Sequence, residues 1–252
     1  HVDRSIEDPT SFVMDNVIGT TNLLQFARTF TSLKCFINFA TDEVFGPAPK
    51  GHAHRETEPH KPSNPYAASK SGAVMLGYSF FVTYGLPVIT TYAMNNFGER
   101  QHPEKLVPKT IRSVLEQTPM PIFATLKKGK LTAIGSRYWL HCRNTASAIL
   151  FLMQKGKPGE SYNIIGFDEL SNLAMAKKIA HIIGKPLIPE FVDFHATRPG
   201  HDRRYALDGT KIKKLGWKPE TDFDTLLERT VRFTIDHSQW RCPKPFLDSR
   251  NG

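Results

Sequence analysis

The run Lys34-Cys35-Phe36-Ile37-Asn38-Phe39-Ala40, ending in Thr41-Asp42-Glu43, constrains this chain more than any other stretch. It is short, mostly apolar and rich in aromatic and β-branched residues, as expected of a strand buried inside a parallel sheet. Open α/β sheets gather their chemistry at the carboxyl ends of such strands, and Thr41, Asp42 and Glu43 stand at that end. Downstream, Asn64 and Pro65 open a helix, Asn as its cap and Pro at its first position. Tyr66 and Lys70 follow four apart and share one helix face. A hydroxyl, two adjacent carboxylates, a phenol and an ammonium are therefore available to one pocket.

A phenol titrates near about 10 and is a poor base at neutral pH. A lysine one turn away, or a cationic cofactor ring, favours the phenolate and lowers that value. Tyr66 is thus a candidate base for a sugar hydroxyl as hydride leaves the same carbon, with Thr41 holding the same oxygen. Adjacent carboxylates take opposite roles when their surroundings push their pKa values apart. A protonated Asp42 can donate to a departing hydroxyl, and an ionised Glu43 can remove an acidic proton beside a carbonyl. A lone Tyr-x-x-x-Lys more often marks a solvated helix face, and adjacent acids after a strand more often form a turn or cap. Here the joint order and context carry the reading.

Thr41-Asp42-Glu43-Val44-Phe45-Gly46 followed by Asn64-Pro65-Tyr66-Ala67-Ala68-Ser69-Lys70 resembles the nucleotide-sugar 4,6-dehydratases of the extended short-chain dehydrogenases, the dTDP-glucose type above all. Epimerases and decarboxylases of that superfamily share Tyr-x-x-x-Lys but do not usually carry the acid pair. The resemblance implies an α/β fold: a Rossmann-like doubly wound parallel sheet with a smaller α/β substrate-binding lobe. It implies NAD as cofactor, a nucleotide-diphosphate sugar as substrate and a hydro-lyase (lyase) reaction. Catalysis would fall to Thr41, Asp42, Glu43, Tyr66 and Lys70. Tyr66, Lys70 and Asn95 would face the cofactor. A homodimer built on the Tyr66 helix and the helix near the chain start is also implied.

The chain opens at His1 and contains no Gly-x-x-Gly-x-x-Gly loop between a strand and a helix. Against the family, His1-Val2-Asp3-Arg4-Ser5 resembles a segment well inside the dinucleotide-binding domain. The expectation is a fragment whose sheet is incomplete at the amino terminus. Residues 1–98 would be the remainder of the NAD-binding domain, and 99–252 mainly the substrate lobe, interleaved with last sheet elements at about 144–166. The boundary near Gly98 is nominal.

With 252 residues, 40% hydrophobic and 23% charged, the composition is that of an ordinary globular enzyme. No apolar run approaches a membrane-spanning length and no secretory signal opens the chain, so no membrane partner is expected. Cys35, Cys142 and Cys242 are widely spaced, without a metal-ligand pattern, and read as reduced thiols of a cytoplasmic protein. The net charge of +9 suits an anionic partner. Its basic residues are scattered rather than gathered in a stripe, which favours a diphosphate-bearing substrate and no nucleic acid.

Apolar spacing from Asp8 to Phe30 predicts a helix, with Pro9 in its first turn. The loop of residues 47–63 carries His52, His54 and His60, read as solvated because no acids stand at metal-like spacing. Leu86–Tyr92 reads as the next strand, ending near Asn95-Asn96-Phe97-Gly98, which resembles the family's Asn-Asn-Tyr-Gly. The resemblance assigns Asn96 to the sugar-diphosphate, and Glu104, Lys105 and Leu106 to the substrate, through their backbone and the Lys105 side chain. Phe123 would pack on the nucleotide base, although Ala124–Ser136 is longer and more basic than the family's turn. Arg137, in a segment resembling Arg-Asp-Trp-Leu-Tyr, would clamp a phosphate oxygen with its forked donors. Residues 144–155 and 172–183 read as helices, the latter capped by Ser171 and closed at Gly184, with Asn172 at a phosphate-site position. Thr197-Arg198-Pro199-Gly200-His201-Asp202-Arg203-Arg204-Tyr205 resembles the segment that closes over the nucleotide, with Arg198 and His201 on ribose and diphosphate. Asp222–Ile235 predicts a last amphipathic helix.

Overall fold

The structure, a computed structural model, describes residues 2–128, 130–166, 169–193 and 204–241. The chain opens with helices α1 (Val2–Glu7) and α2 (Pro9–Val13), a π-helical turn at Met14–Ile18, and α3 (Gly19–Ala27). The single helix expected from Asp8 to Phe30 is therefore interrupted and ends earlier. Asp8 caps α2 by accepting from the Ser11 N–H, with Pro9 in the first turn. Strand β1 (Phe36–Thr41) then leads into a 3-10 turn at Asp42–Phe45, and α4 (Pro65–Tyr84) follows the long loop. Next come β2 (Val88–Ala93), β3 (Asn96–Phe97), α5 (Leu106–Glu116) and the strands β4 (Met120–Lys127) and β5 (Lys130–Ile134). The remaining elements are β6 (Ser136–Tyr138), β7 (Leu140–His141), α6 (Cys142–Lys155), β8 (Ser161–Ile164), β9 (Glu169–Ser171), α7 (Asn172–Ile183), β10 (Pro189–Asp193), α8 (Thr210–Leu215) and α9 (Phe223–Asp236).

The central sheet has the order β1-β2-β8, and both pairings are parallel. Register runs from Phe36 opposite Val88 to Thr41 opposite Ala93, so β1 and β2 end together. Every residue of β2 is buried, which is why Val88-Ile89-Thr90-Thr91-Tyr92 shows no polar alternation. α4 covers the sheet, capped at its start by Asn64 and closed at its end by Gly85 at φ 67°. A Cβ at Gly77 would lie 2.6 Å from the Asn38 amide nitrogen and 3.3 Å from Val88, so glycine sets how closely helix and strand approach. Asn38 donates to the Ala73 carbonyl at 3.0 Å and satisfies itself within that contact.

A second apolar cluster joins Phe97, Val107, Ile111, Trp139, Met175, Ile179, Leu227 and Val231 from α5, α7, α9 and the strands beside them. Each large aliphatic side chain sealed in this way contributes about 1.5–3 kcal/mol by burial. β4 and β5 form an antiparallel hairpin with a register shift at Thr125/Leu126, and β10 adds to β4 in parallel. The stretch after Phe123 is thus hairpin rather than a short turn. Among the described residues no helix is long and apolar enough to cross a membrane.

Candidate active site

The site begins where β1 stops. Thr41 keeps extended backbone, and its hydroxyl donates to Asp42 Oδ1 at 3.0 Å. The chain then turns through Asp42–Phe45 and is reversed by Gly46 at φ 75°. A Cβ at Gly46 would lie 2.5 Å from the Lys61 carbonyl oxygen, so the turn requires glycine twice over, for its backbone and for its space.

The turn buries Asp42 and leaves Glu43 facing the cleft. Asp42 Oδ2 is buried with no hydrogen-bond partner. Burial, and then the Glu43 charge beside it, push the Asp42 pKa from 3.8 up to about 7, against weaker opposing pulls from Arg137 and Thr41. The protonated acid therefore persists into the neutral range. Glu43 Oε2 accepts from Asn64 Nδ2 at 3.2 Å and from the Tyr205 hydroxyl at 3.2 Å. Asn64 also caps α4 through its oxygen, accepting from the Ala67 N–H at 2.9 Å. One side chain thus ties the acid to the start of the helix that carries Tyr66.

Tyr66 hydrogen-bonds to Thr41, and its pKa is pushed up to about 12, first by burial and then by Glu43. Lys70 shares the expected helix face, but its ammonium donates to the Phe39 carbonyl of β1, and burial lowers its pKa. The lowering of the Tyr66 pKa expected from Lys70 is not what the geometry gives. Desolvation outweighs a charge that is directed at the strand backbone.

Two adjoining cavities, about 340 and 230 Å³, share Glu43, Asn95, Lys105, Leu106 and Trp139 and so form one cleft. The first holds Thr41, Asp42, Tyr66 and Asn96. The second holds Glu104, Phe123, Arg137, Asn172 and Tyr205. Asn96 is held by its neighbours, donating to the Met94 carbonyl at 3.0 Å and accepting from Thr145. Glu104 pairs with Arg4 of α1 at 3.2 Å. Arg137 is buried, donates to its neighbour Ser136 O at 2.7 Å and lies 4.6 Å over the Tyr205 ring. Leu106 and Asn172 are the first residues of α5 and α7, the latter after Ser171, which accepts from the Ala174 N–H. Lys70 is not among the lining residues. Arg198 and His201 lie outside the described residues, as does Cys242.

Sequence reasoning did not single out Lys109, which had a signal, standing four residues after Lys105 on one helix face. Tyr205 closes the segment of residues 197–205 already noted, but its bond to Glu43 had no signal, because it spans 162 residues. Two of the loop histidines differ from the solvated reading. His60 bonds Ser71 at 2.7 Å and Tyr92 at 3.1 Å and His54 turns to Glu58, while His52 reaches the same carboxylate and stays exposed.

The family described as GDP-mannose 4,6 dehydratase matches residues 1–230. The dTDP-glucose 4,6-dehydratase of Salmonella typhimurium is 38% identical, over 95% of this chain and 71% of its own length. A probable dTDP-glucose 4,6-dehydratase of Sinorhizobium fredii is 36% identical over 96% of this chain and 71% of its own. The crystal structure of DesIV, a dTDP-glucose 4,6-dehydratase from Streptomyces venezuelae solved with NAD bound, superposes with a TM-score of 0.85 at 34% identity, covering 95% of this chain and 71% of that one. A β1 end carrying Thr41, Asp42 and Glu43 beside Tyr66, on a Rossmann-like α/β sheet, thus comes with likeness along nearly the whole chain: it belongs to the nucleotide-sugar 4,6-dehydratase family of extended short-chain dehydrogenases.

Proposed function

We propose that this protein is an NAD-dependent hydro-lyase that removes water from a nucleotide-diphospho-hexose, dTDP-glucose first, to leave the 4-keto-6-deoxy sugar. The observation that carries the reading is the asymmetry of the acid pair. Asp42 is buried, lacks a partner for Oδ2 and holds its proton to about pH 7, whereas neighbouring Glu43 accepts two hydrogen bonds and opens to the cleft. Paired carboxylates in such different surroundings suit an acid and a base acting on adjacent carbons.

The residues present fit the nicotinamide-ribose end of NAD. A phenol pushed up to about 12 needs positive charge beside it to act as a base, and exposed Asn95 adjoins it at the end of β2. Tyr66 and Asn95 line the cavity that would hold that end, and Lys70 would join them by turning from the Phe39 carbonyl towards the cleft. NAD, when bound, supplies the hydride acceptor and donor, and the protein supplies placement and proton transfers. Tyr66 takes the C4 hydroxyl proton while Thr41 fixes that oxygen. Glu43 removes the C5 proton, made acidic by the C4 carbonyl, and Asp42 protonates the leaving C6 hydroxyl. Lys105, Lys109 and Arg137 give the second cavity the positive lining that a diphosphate requires, with Asn96, Glu104, Leu106, Asn172 and Phe123 around the rest of the substrate.

On the same footing we assign a homodimer, a cytoplasmic location, and a division near Gly98 into cofactor and substrate parts. Met14 in the π-helical turn, Leu23 and Phe26 on α3, and Met75, Tyr78 and Val82 on α4 are exposed apolar side chains, which supports a second copy there. The activity is tested by incubating the protein and NAD with dTDP-, UDP-, CDP- and GDP-hexoses and weighing the products. Loss of one water with loss of the C6 oxygen is expected, greatest for dTDP-glucose. A product that keeps its C6 oxygen and changes only its C4 configuration contradicts dehydration.

A further inference from the structure

The loop between the acid pair and α4 carries a cluster that takes no part in the chemistry above. His52 Nε2 lies 3.1 Å, and His54 Nδ1 2.8 Å, from the same oxygen of Glu58, Oε2. The ligand atoms of these three side chains all fall within 4.8 Å of one another. Around a tetrahedral zinc ion with bonds of about 2.0–2.2 Å, ligand atoms stand a little over 3 Å apart, so each His–Glu58 pair needs to widen by only a few tenths of an ångström.

Each ligand is held from behind. The His54 N–H donates to the Ala206 carbonyl at 2.9 Å, and its own carbonyl accepts from Asp208 N at 2.8 Å and Asn163 Nδ2 at 2.9 Å. Its ring stacks on Phe45 at 5.5 Å and 16°. The His52 carbonyl accepts from Arg204 at 2.6 Å. Glu58 Oε1 takes the Arg55 N–H at 2.9 Å, which leaves Oε2 for the two rings. The nearby cations are drawn elsewhere: Arg55 towards Asp208 at 3.5 Å and Arg204 onto Glu169 at 2.8 Å. The His54 side chain is 12% exposed and that of His52 46%, so the cluster is anchored on one side and open to solvent on the other.

We propose that His52, His54 and Glu58 bind one first-row divalent transition ion, zinc as the best match, with solvent completing its coordination. Two imidazoles and a carboxylate suit zinc; calcium and magnesium prefer oxygen throughout. Without an ion each neutral ring offers N–H to the carboxylate; on binding, the ion takes that nitrogen's lone pair and the proton moves to the ring's other nitrogen. His54 Nε2 has no hydrogen-bond partner, so no outer group strengthens that ring as a ligand, which weakens the site by about 10–100-fold against a fully backed one. The bound ion would pin the loop against residues 204–208, and so would steady Tyr205 on Glu43. The other grouping of this type, Glu99, His141 and Cys142, is already committed: Glu99 holds Arg229 at 2.6 Å, and His141 Nδ1 accepts from Arg143 N at 3.1 Å.

The test is equilibrium dialysis of tag-free, chelator-stripped protein against zinc, with cobalt(II) as a spectroscopic probe. One zinc per chain is expected, with a visible cobalt band and a rise in Tm on zinc addition. His52→Ala and Glu58→Gln should each weaken binding by at least about tenfold and abolish the cobalt band. Cys142→Ser should change neither. His52 is half-exposed and its backbone contacts do not need the ring, so the variant keeps its fold, checked by its zinc-free melt. Zinc uptake indifferent to both loop variants, uptake abolished by Cys142→Ser, or no uptake at all at micromolar zinc overturns the site.

Discussion

Asp42 follows β1 and Glu99 follows β3, and both carboxylates are largely withdrawn from solvent, yet the fold treats them in opposite ways. Around Glu99, burial pulls the pKa upward, but its own backbone N–H, His141, Arg229 and Arg143 outweigh it and hold the value below 4.5. His141 donates from Nε2 to Glu99 at 3.1 Å while its Nδ1 accepts from Arg143 N, the arrangement of a neutral ring, and burial keeps its own pKa low. Asp42 has one hydroxyl on Oδ1 and nothing on Oδ2, and its pKa climbs to about 7. A satisfied carboxylate ties elements together. An unsatisfied one retains a proton for use.

The comparison is tested most severely by removing the base beside Asp42. Glu43→Gln keeps an oxygen for Asn64 and Tyr205, so the fold should hold while turnover falls by about 10²–10⁴-fold, measured as the rate of water loss. Glu99→Gln should do the reverse. It strips charge from a cluster with several partners and should cost about 1–3 kcal/mol in denaturant unfolding, with turnover within about twofold of the parent. If Glu99→Gln abolished turnover without loss of stability, the contrast would fail.

The two acids should also tilt stability in opposite directions with pH. Asp42 binds its proton more tightly folded than unfolded, so its contribution is full below 3.8 and is lost as pH rises to about 7. Glu99, held below 4.5, contributes stability above that value that is lost as pH falls through its lowered pKa. In melts across pH, Asp42→Asn should flatten the decline towards neutrality and raise the neutral Tm by several degrees, and Glu99→Gln should flatten the acid side.

The elements around the site were legible because their signals are local. Asn64 before Pro65, Ser171 before Asn172 and Gly184 at φ 75° each declare a helix end by side chains or backbone freedom read in place. The strand after Lys34 was legible by its apolar run, and the acid pair by its position at the strand end. What escaped depends on partners distant in sequence. Lys70 sits on the expected face, but the choice between Tyr66 and the Phe39 carbonyl is made by how α4 lies on β1. His54 looks solvated until residues 206–208 arrive to pair with its backbone. The turn of the hairpin β4–β5 opens on Lys128, whose positive φ of 49° a lysine rarely announces, and the basic run around Gly129 reads first as a solvated loop.

The most direct test of the account is a rapid-quench reaction of Asp42→Asn with NAD and dTDP-glucose. The account predicts reduced-nicotinamide absorbance rising at near the parent rate while the sugar keeps its C6 oxygen, because oxidation at C4 needs Tyr66 and Thr41 but elimination needs the Asp42 proton. Equal loss of both steps, or unimpaired water loss, would contradict the role given to Asp42.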